Sequence, residues 1–255
     1  MLLAIDVGNT HTVLGVYEDE QLIDHWRVTT HLARTSDELA VLLKSLFDSS
    51  TAVSVEQVEA AIVSSVVPSI TQRIVQMADR LFDVTCRVVG PGLKTGMPIL
   101  YEDPREVGAD RIVNAVAAYD RWSEGLIIVD FGTATTFDVV SPTGDYLGGS
   151  ICPGIGVSSA ALFDNAARLP RVEFARPKHV VGRNTVASIQ SGLVFGYLGL
   201  VEGLIQRIRD EVDFECRVVA TGGLASKMAE QTAVITAVDE DLTLDGLRIL
   251  HLRNT

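Results

Sequence analysis

The chain runs twice through one plan, and that repeat limits the architectures open to it. Ile5-Asp6-Val7-Gly8-Asn9-Thr10 lies against Val129-Asp130-Phe131-Gly132-Thr133-Ala134; each is an apolar run ending in Asp, one apolar residue, Gly and a small polar residue. The flanking segments repeat as well. Leu2 to Val7, Thr12 to Tyr17 and Gln21 to Val28 carry strand periodicity with a turn at Glu18, Asp19 and Glu20. Leu126 to Asp130, Thr135 to Val140 and Asp145 to Ile151 do the same, with a turn from Pro142 to Gly144. In the first half a helix follows, with Ser36 as its expected cap and Leu39, Leu42, Leu43 and Leu46 as its apolar face. A short buried strand, Ala60 to Val67, then runs into Pro68 and an amphipathic helix through Ile70, Ile74 and Met77. Late in the second half, Arg217 to Ala220 runs into Thr221-Gly222-Gly223, echoing Ser64-Ser65. The pattern predicts an α/β protein of two similar domains, 1–120 and 121–255, each a mixed sheet flanked by helices.

Composition narrows the partners. At 255 residues and 47% hydrophobic the chain can bury a sizeable core. Its 33 acidic against 21 basic side chains leave a net charge of -12, which repels phosphate backbones and argues against nucleic acid. Met1 to Val7 lacks a basic leader and carries Asp6, which reads against a signal peptide. Val186 to Ile208 is apolar but interrupted by Gln190, Glu202 and Gln206, so no membrane span is expected. Cys86, Cys152 and Cys216 are odd in number and widely spaced, which suits a reducing, cytoplasmic setting and small buried hydrophobes rather than a zinc cluster.

A strand that ends in Asp and turns through Gly sets a carboxylate at a sheet edge, where the missing Cβ lets the backbone approach a bulky anion. A carboxylate repels phosphate but can hold a cation that neutralises it, so a pair of such turns points to metal-assisted phosphate chemistry. Two other phosphate motifs fail. Gly90-Pro91-Gly92-Leu93-Lys94-Thr95 has Leu93 where a P-loop needs Gly before Lys, and Gly154-Ile155-Gly156 has Ser159 where a dinucleotide fingerprint needs its third glycine.

Three motifs, in this order, resemble the signatures of type III pantothenate kinases: Asp6-Val7-Gly8-Asn9-Thr10, Gly108-Ala109-Asp110-Arg111 and Asp130-Phe131-Gly132-Thr133-Ala134-Thr135-Thr136. Lys94-Thr95-Gly96, Gly148-Gly149 with Pro153-Gly154, and Gly182-Arg183-Asn184-Thr185 extend the likeness. The resemblance implies two ribonuclease H-like domains of the actin-like ATPase fold. It also implies transfer of the ATP γ-phosphate to the hydroxyl of pantothenate, the first step of coenzyme A synthesis. It places Asp6, Val7, Gly8, Asn9, Thr10, His11, Thr12, Val13 and Thr133 at ATP. Tyr101, Gly108, Ala109, Asp110, Arg111 and Thr185 fall at pantothenate, with Asp110 as proton acceptor. Asp130 is implied to hold a monovalent cation, K+ or NH4+, and Asp6 is the candidate for the Mg2+ that accompanies ATP. The family likeness further implies a homodimer.

Each assignment has a plainer counterpart. Asp110 in a first helical turn also suits the helix dipole, and Arg111 could be an ordinary surface cation, although a guanidinium matches the carboxylate of pantothenate bidentately. Lys94 reads either as a guide for anions or as a solvated loop residue, and His11 is given no catalytic role. Gly192, Gly196, Gly199 and Gly203 serve either a helix packed within the monomer or a dimer seam. The competing functions are a related kinase for another small hydroxy compound and a non-catalytic regulator, the latter expected to have lost the carboxylate that Asp110 supplies.

Overall fold

Unbroken apolar runs become central strands here because both of their faces are covered. In the computed structural model, which describes residues 1–166 and 168–255, β1 (Leu2–Val7), β2 (His11–Glu18) and β3 (Gln21–Thr29) form an antiparallel meander. Then come α1 (Ser36–Ser49), β4 (Ala60–Ser65), α2 (Pro68–Phe82), β5 (Cys86–Val88) and α3 (Ala109–Trp122). β4 pairs parallel with β1, and β5 parallel with β4, giving the order β3-β2-β1-β4-β5. Leu3, Ile5 and Val7 of β1 join Leu39, Leu43 and Phe47 of α1 and Ile70, Ile74 and Met77 of α2 in one buried core. Leu42 and Leu46, expected on that face, are only partly buried; Phe47 completes the stripe.

Two local boundaries differ from expectation. The cap of α1 is Thr35, not Ser36: its hydroxyl accepts from the Glu38 N–H at 3.2 Å, and the Glu38 carboxylate accepts from the Thr35 N–H at 2.8 Å. That reciprocal pair satisfies two end donors at once, which Ser36 one residue on cannot do with Glu38. β4 stops at Ser65 because Pro68 opens α2, where a residue without an N–H costs nothing.

The second half repeats the topology. β6 (Leu126–Phe131), β7 (Ala134–Val140) and β8 (Tyr146–Pro153) form the meander. They are followed by α4 (Ile155–Asn165), α5 (Thr185–Glu211), β9 (Arg217–Thr221), α6 (Ala225–Ala229) and β10 (Ala237–Val238). β9 lies parallel to β6 and β10 parallel to β9, so β8-β7-β6-β9-β10 mirrors the first sheet strand for strand. Val194, Tyr197, Leu198, Val201 and Ile205 of α5 pack on Ile127, Val129 and Phe137. Among the described residues α5 is the one helix long and apolar enough to cross a membrane by length and composition; this packed side faces the second core.

The chain closes with α7 (Leu242–Leu252), and here the domain division shifts. The compact units are Met1–Arg121 with Asp241–Thr255, and Trp122–Glu240. The last helix thus belongs with the first sheet, whereas the division at 121 groups it with the second. Leu244 fills the space above Gly15, where an added Cβ would stand 2.8 Å from its Cδ1. The buried Tyr17 hydroxyl donates to Asp245 at 2.8 Å, and Arg121 donates to the same carboxylate at 2.6 Å. All three cysteines are free; Cys86 and Cys216 are buried, Cys152 only partly so. Burial pushes the Cys86 thiol up to about 12, so it behaves as the inert hydrophobe expected.

Candidate active site

The first Asp-x-Gly turn is a four-residue loop, 8–11, closing the register pair Val7 and Thr12. The Gly8 N–H donates to the His11 carbonyl at 3.0 Å, and the Thr30 hydroxyl donates to the Gly8 carbonyl at 2.8 Å. The Thr30 N–H donates to the Thr10 carbonyl at 2.9 Å, and the Thr12 and Thr30 hydroxyls lie 2.9 Å apart. Thr30 therefore braces the loop from β3's end, leaving Asn9, Thr10 and His11 exposed while Val7 and Thr12 are buried. Asp6 is half-buried, in register with Val13 on β2 and Ser64 on β4.

The second turn is shorter, residues 132–134 closing Phe131 and Thr135. The Gly132 N–H donates to the Ala134 carbonyl at 3.0 Å, and the Gly154 N–H to the Thr133 carbonyl at 3.0 Å. Gly154 opens α4 with its Cα set against the carbonyls of Gly132 and Thr133, where a Cβ would collide. Gly222, at φ +88, lies against Oδ1 of Asp130 in the same manner. Tyr197 reaches from α5 to donate to the Pro153 carbonyl, tying down the strand that precedes Gly154. Thr133 is exposed and Asp130 half-buried.

The third constellation is the start of α3. The Arg111 and Ile112 N–H groups donate to the Gly108 carbonyl at 3.1 and 3.3 Å, and Oδ1 of Asp110 accepts from the Arg111 N–H at 2.8 Å. Gly108 abuts that oxygen, since an added Cβ would stand 2.6 Å from it. Burial raises the Asp110 pKa above the usual carboxylate value; the Arg111 N–H and the Arg111 charge oppose that rise without cancelling it. Arg111 itself is 7% exposed, which excludes the surface-cation reading.

Asp6 to Val13, Gly108 to Arg111, and Asp130 with Thr133 thus form three separately built groups. Tyr101 lies half-buried ahead of α3, and Thr185 is the exposed first residue of α5, behind Asn184, whose side chain accepts from the Ala187 N–H at 2.8 Å. Lys94 is exposed, and its backbone is held by Asn254 through two bonds of 2.9 Å. Thr30, Ser64 and Gly222 lie outside the three sequence motifs. Of these only Ser64 and Gly222 had a signal, their places in the repeated strand ends. Among the described residues no three His, Cys, Asp or Glu side chains gather to hold a metal. A single carboxylate per turn fits a cation completed by phosphate oxygens and water, the usual manner of Mg2+ beside a nucleotide.

Comparison with known proteins identifies the family and the fold. The family model for type III pantothenate kinase matches residues 2–207. The chain is 60% identical over 254 residues to the type III pantothenate kinase of Myxococcus xanthus (strain DK1622), covering 100% of this chain and 99% of that one. It is 61% identical over 254 residues to that of Anaeromyxobacter sp. (strain Fw109-5), covering 100% of both. Among solved structures it is similar to a Campylobacter jejuni protein assigned to the Baf family of transcriptional activators, with a TM-score of 0.64 at 17% identity over 99% of this chain and 98% of that one. It is also similar to the ROK hexokinase of Thermus thermophilus, with a TM-score of 0.53 at 14% identity over 100% and 99% of the two chains. At those identities the structural likeness establishes the fold, two mixed sheets flanked by helices as in the actin-like sugar kinases.

Proposed function

The chain belongs to the type III pantothenate kinase family, and from that premise we propose which of its residues carry the transfer of the ATP γ-phosphoryl group to the 4′-hydroxyl of pantothenate in coenzyme A synthesis. Asp110 takes the hydroxyl proton as the hydroxyl oxygen bonds to phosphorus and the bond to the departing ADP oxygen breaks. The observation that carries this role is its carboxyl, set against Gly108 and raised in pKa by burial, which makes it a stronger base than a solvated aspartate. A modest base suffices because the transition state is loose and positioning does most of the catalysis.

Arg111 pairs with the pantothenate carboxylate, and Tyr101, Gly108, Ala109 and Thr185 complete that subsite. Asp6, Val7, Gly8, Asn9, Thr10, His11, Thr12 and Val13 receive the nucleotide phosphates, with Thr133 as a further ATP contact. Asp6 is the ligand for Mg2+ and Asp130 for K+ or NH4+; bound there, the cations neutralise phosphate charge. The Gly222 backbone lies directly against Oδ1 of Asp130, where a side chain would displace the carboxylate.

The protein acts as a cytoplasmic homodimer in this reading. Gly192, Gly196 and Gly199 support it, because an added Cβ at each meets nothing among the described residues, which leaves their face of α5 open.

Purified protein incubated with ATP, Mg2+, K+ and pantothenate should form 4′-phosphopantothenate. Phosphorylation of other hydroxy acids or sugars in preference to pantothenate would contradict the substrate, and nucleotide binding without any turnover would favour a regulator.

A further inference from the structure

The two cation-binding aspartates share a neighbour that the motifs do not mention. In the parallel pair β1 and β4, Asp6 stands in register with Ser64; in the equivalent pair β6 and β9, Asp130 stands in register with Thr221. Register partners on adjacent parallel strands project to the same face, so each carboxylate has a hydroxyl residue beside it. Both hydroxyl residues are buried, Ser64 at 0% and Thr221 at 1% exposure. Two residues back along each pair, on the same face, the partners are Ala4 with Ile62 and Ile128 with Val219. The polar pair occurs in both halves at the strand end where the phosphate turn begins.

Ser64 is the informative member. Its Oγ is sealed from solvent and makes no hydrogen bond among the described residues. A buried hydroxyl without a partner is unfavourable, and alanine would fill the same strand position without that cost. A hydroxyl kept there has its use in another state of the site. We propose that Ser64 is a positioning residue for Asp6: when the Mg2+-nucleotide binds, its hydroxyl donates to the Asp6 carboxylate and fixes the oxygen that faces the cation. Outer-shell donors of this kind orient a ligating carboxylate, and their loss costs about 10- to 100-fold in metal affinity. Thr221 stands in the same relation to Asp130. This inference rests on the assignment of Asp6 to the cation.

Calorimetric titration with the non-hydrolysable analogue AMPPNP, with Mg2+ and with EDTA, tests it on the full chain. Ser64→Ala should weaken Mg2+-AMPPNP binding by about 10-fold or more, leave metal-free AMPPNP binding unchanged, and keep or raise the thermal midpoint because an unpaired buried hydroxyl has been removed. Ser64→Thr, the residue the second half uses at this place, should restore binding to within about 3-fold, a difference of under one kcal/mol; it also serves if the alanine variant folds poorly. Asp6→Asn should abolish the Mg2+ dependence. Wild-type Mg2+ dependence in Ser64→Ala, with Asp6→Asn impaired, overturns the positioning role alone. Wild-type behaviour in Asp6→Asn overturns the cation assignment and this inference with it. A fall in thermal midpoint with unchanged Mg2+-AMPPNP affinity shows that Ser64 is merely structural.

Discussion

Gly222 rests on the carboxylate of Asp130, with its backbone at φ +88 and the space beyond its Cα taken by Oδ1 and the Phe131 main chain. Any side chain there meets both a strained backbone and a collision. Gly222→Ala should cost about 1–3 kcal/mol of stability and displace Asp130. In steady-state assays it should raise the K+ concentration needed for half-maximal rate. A variant with wild-type K+ response would remove Asp130 from the cation site.

The base role proposed for Asp110 carries a pH dependence. A general base works only when deprotonated, and burial holds its pKa above the roughly 4 of an exposed aspartate. Activity should therefore fall, as pH decreases, through a pKa higher than that reference. The Arg111 charge pulls this pKa down, so Arg111→Met should shift the acid limb of kcat further upward. It should also raise the KM for pantothenate by about 10- to 100-fold, the loss of a charge-assisted pair. An acid limb that moves downward would contradict the sign.

Tyr17→Phe probes the docking of α7 onto the first sheet. The buried hydroxyl donates to Asp245, and its loss leaves part of that carboxylate uncompensated, at a cost of about 1–3 kcal/mol. Urea unfolding should show the loss while kcat stays at the wild-type value.

Gly196→Trp projects a large ring from the open face of α5. Because an added Cβ meets nothing among the described residues, the fold should survive, with an unchanged circular dichroism spectrum, while sedimentation should show the proposed dimer dissociating. A retained dimer would place the seam elsewhere.

What could be read beforehand has a physical pattern. β1 was legible to the residue because a buried central strand is apolar along nearly its whole length, Asp6 near its end being the exception, and the meanders followed from turns at Asp19 and Gly144, both with positive φ. The family motifs supplied the candidate site residues, and the roles proposed for them came with the resemblance, not from spacing. The cap of α1 was missed by one position although Glu38 stands three residues after Thr35, a reciprocal-cap signal that was there to be read. The return of α7 was hidden for another reason: its apolar periodicity shows that a face is buried but not against which sheet. The contact of Gly222 with Asp130 and the unpartnered oxygen of Ser64 depend on strand register across long separations, which no local pattern encodes.

The most direct test of the account is single-turnover phosphorylation of pantothenate by wild-type and Asp110→Asn protein, each first shown to bind ATP. The account predicts 4′-phosphopantothenate from the wild type and a rate about 10²- to 10⁴-fold lower from the variant, with ATP affinity retained. A variant that transfers the phosphoryl group at the wild-type rate would show that Asp110 is not the base.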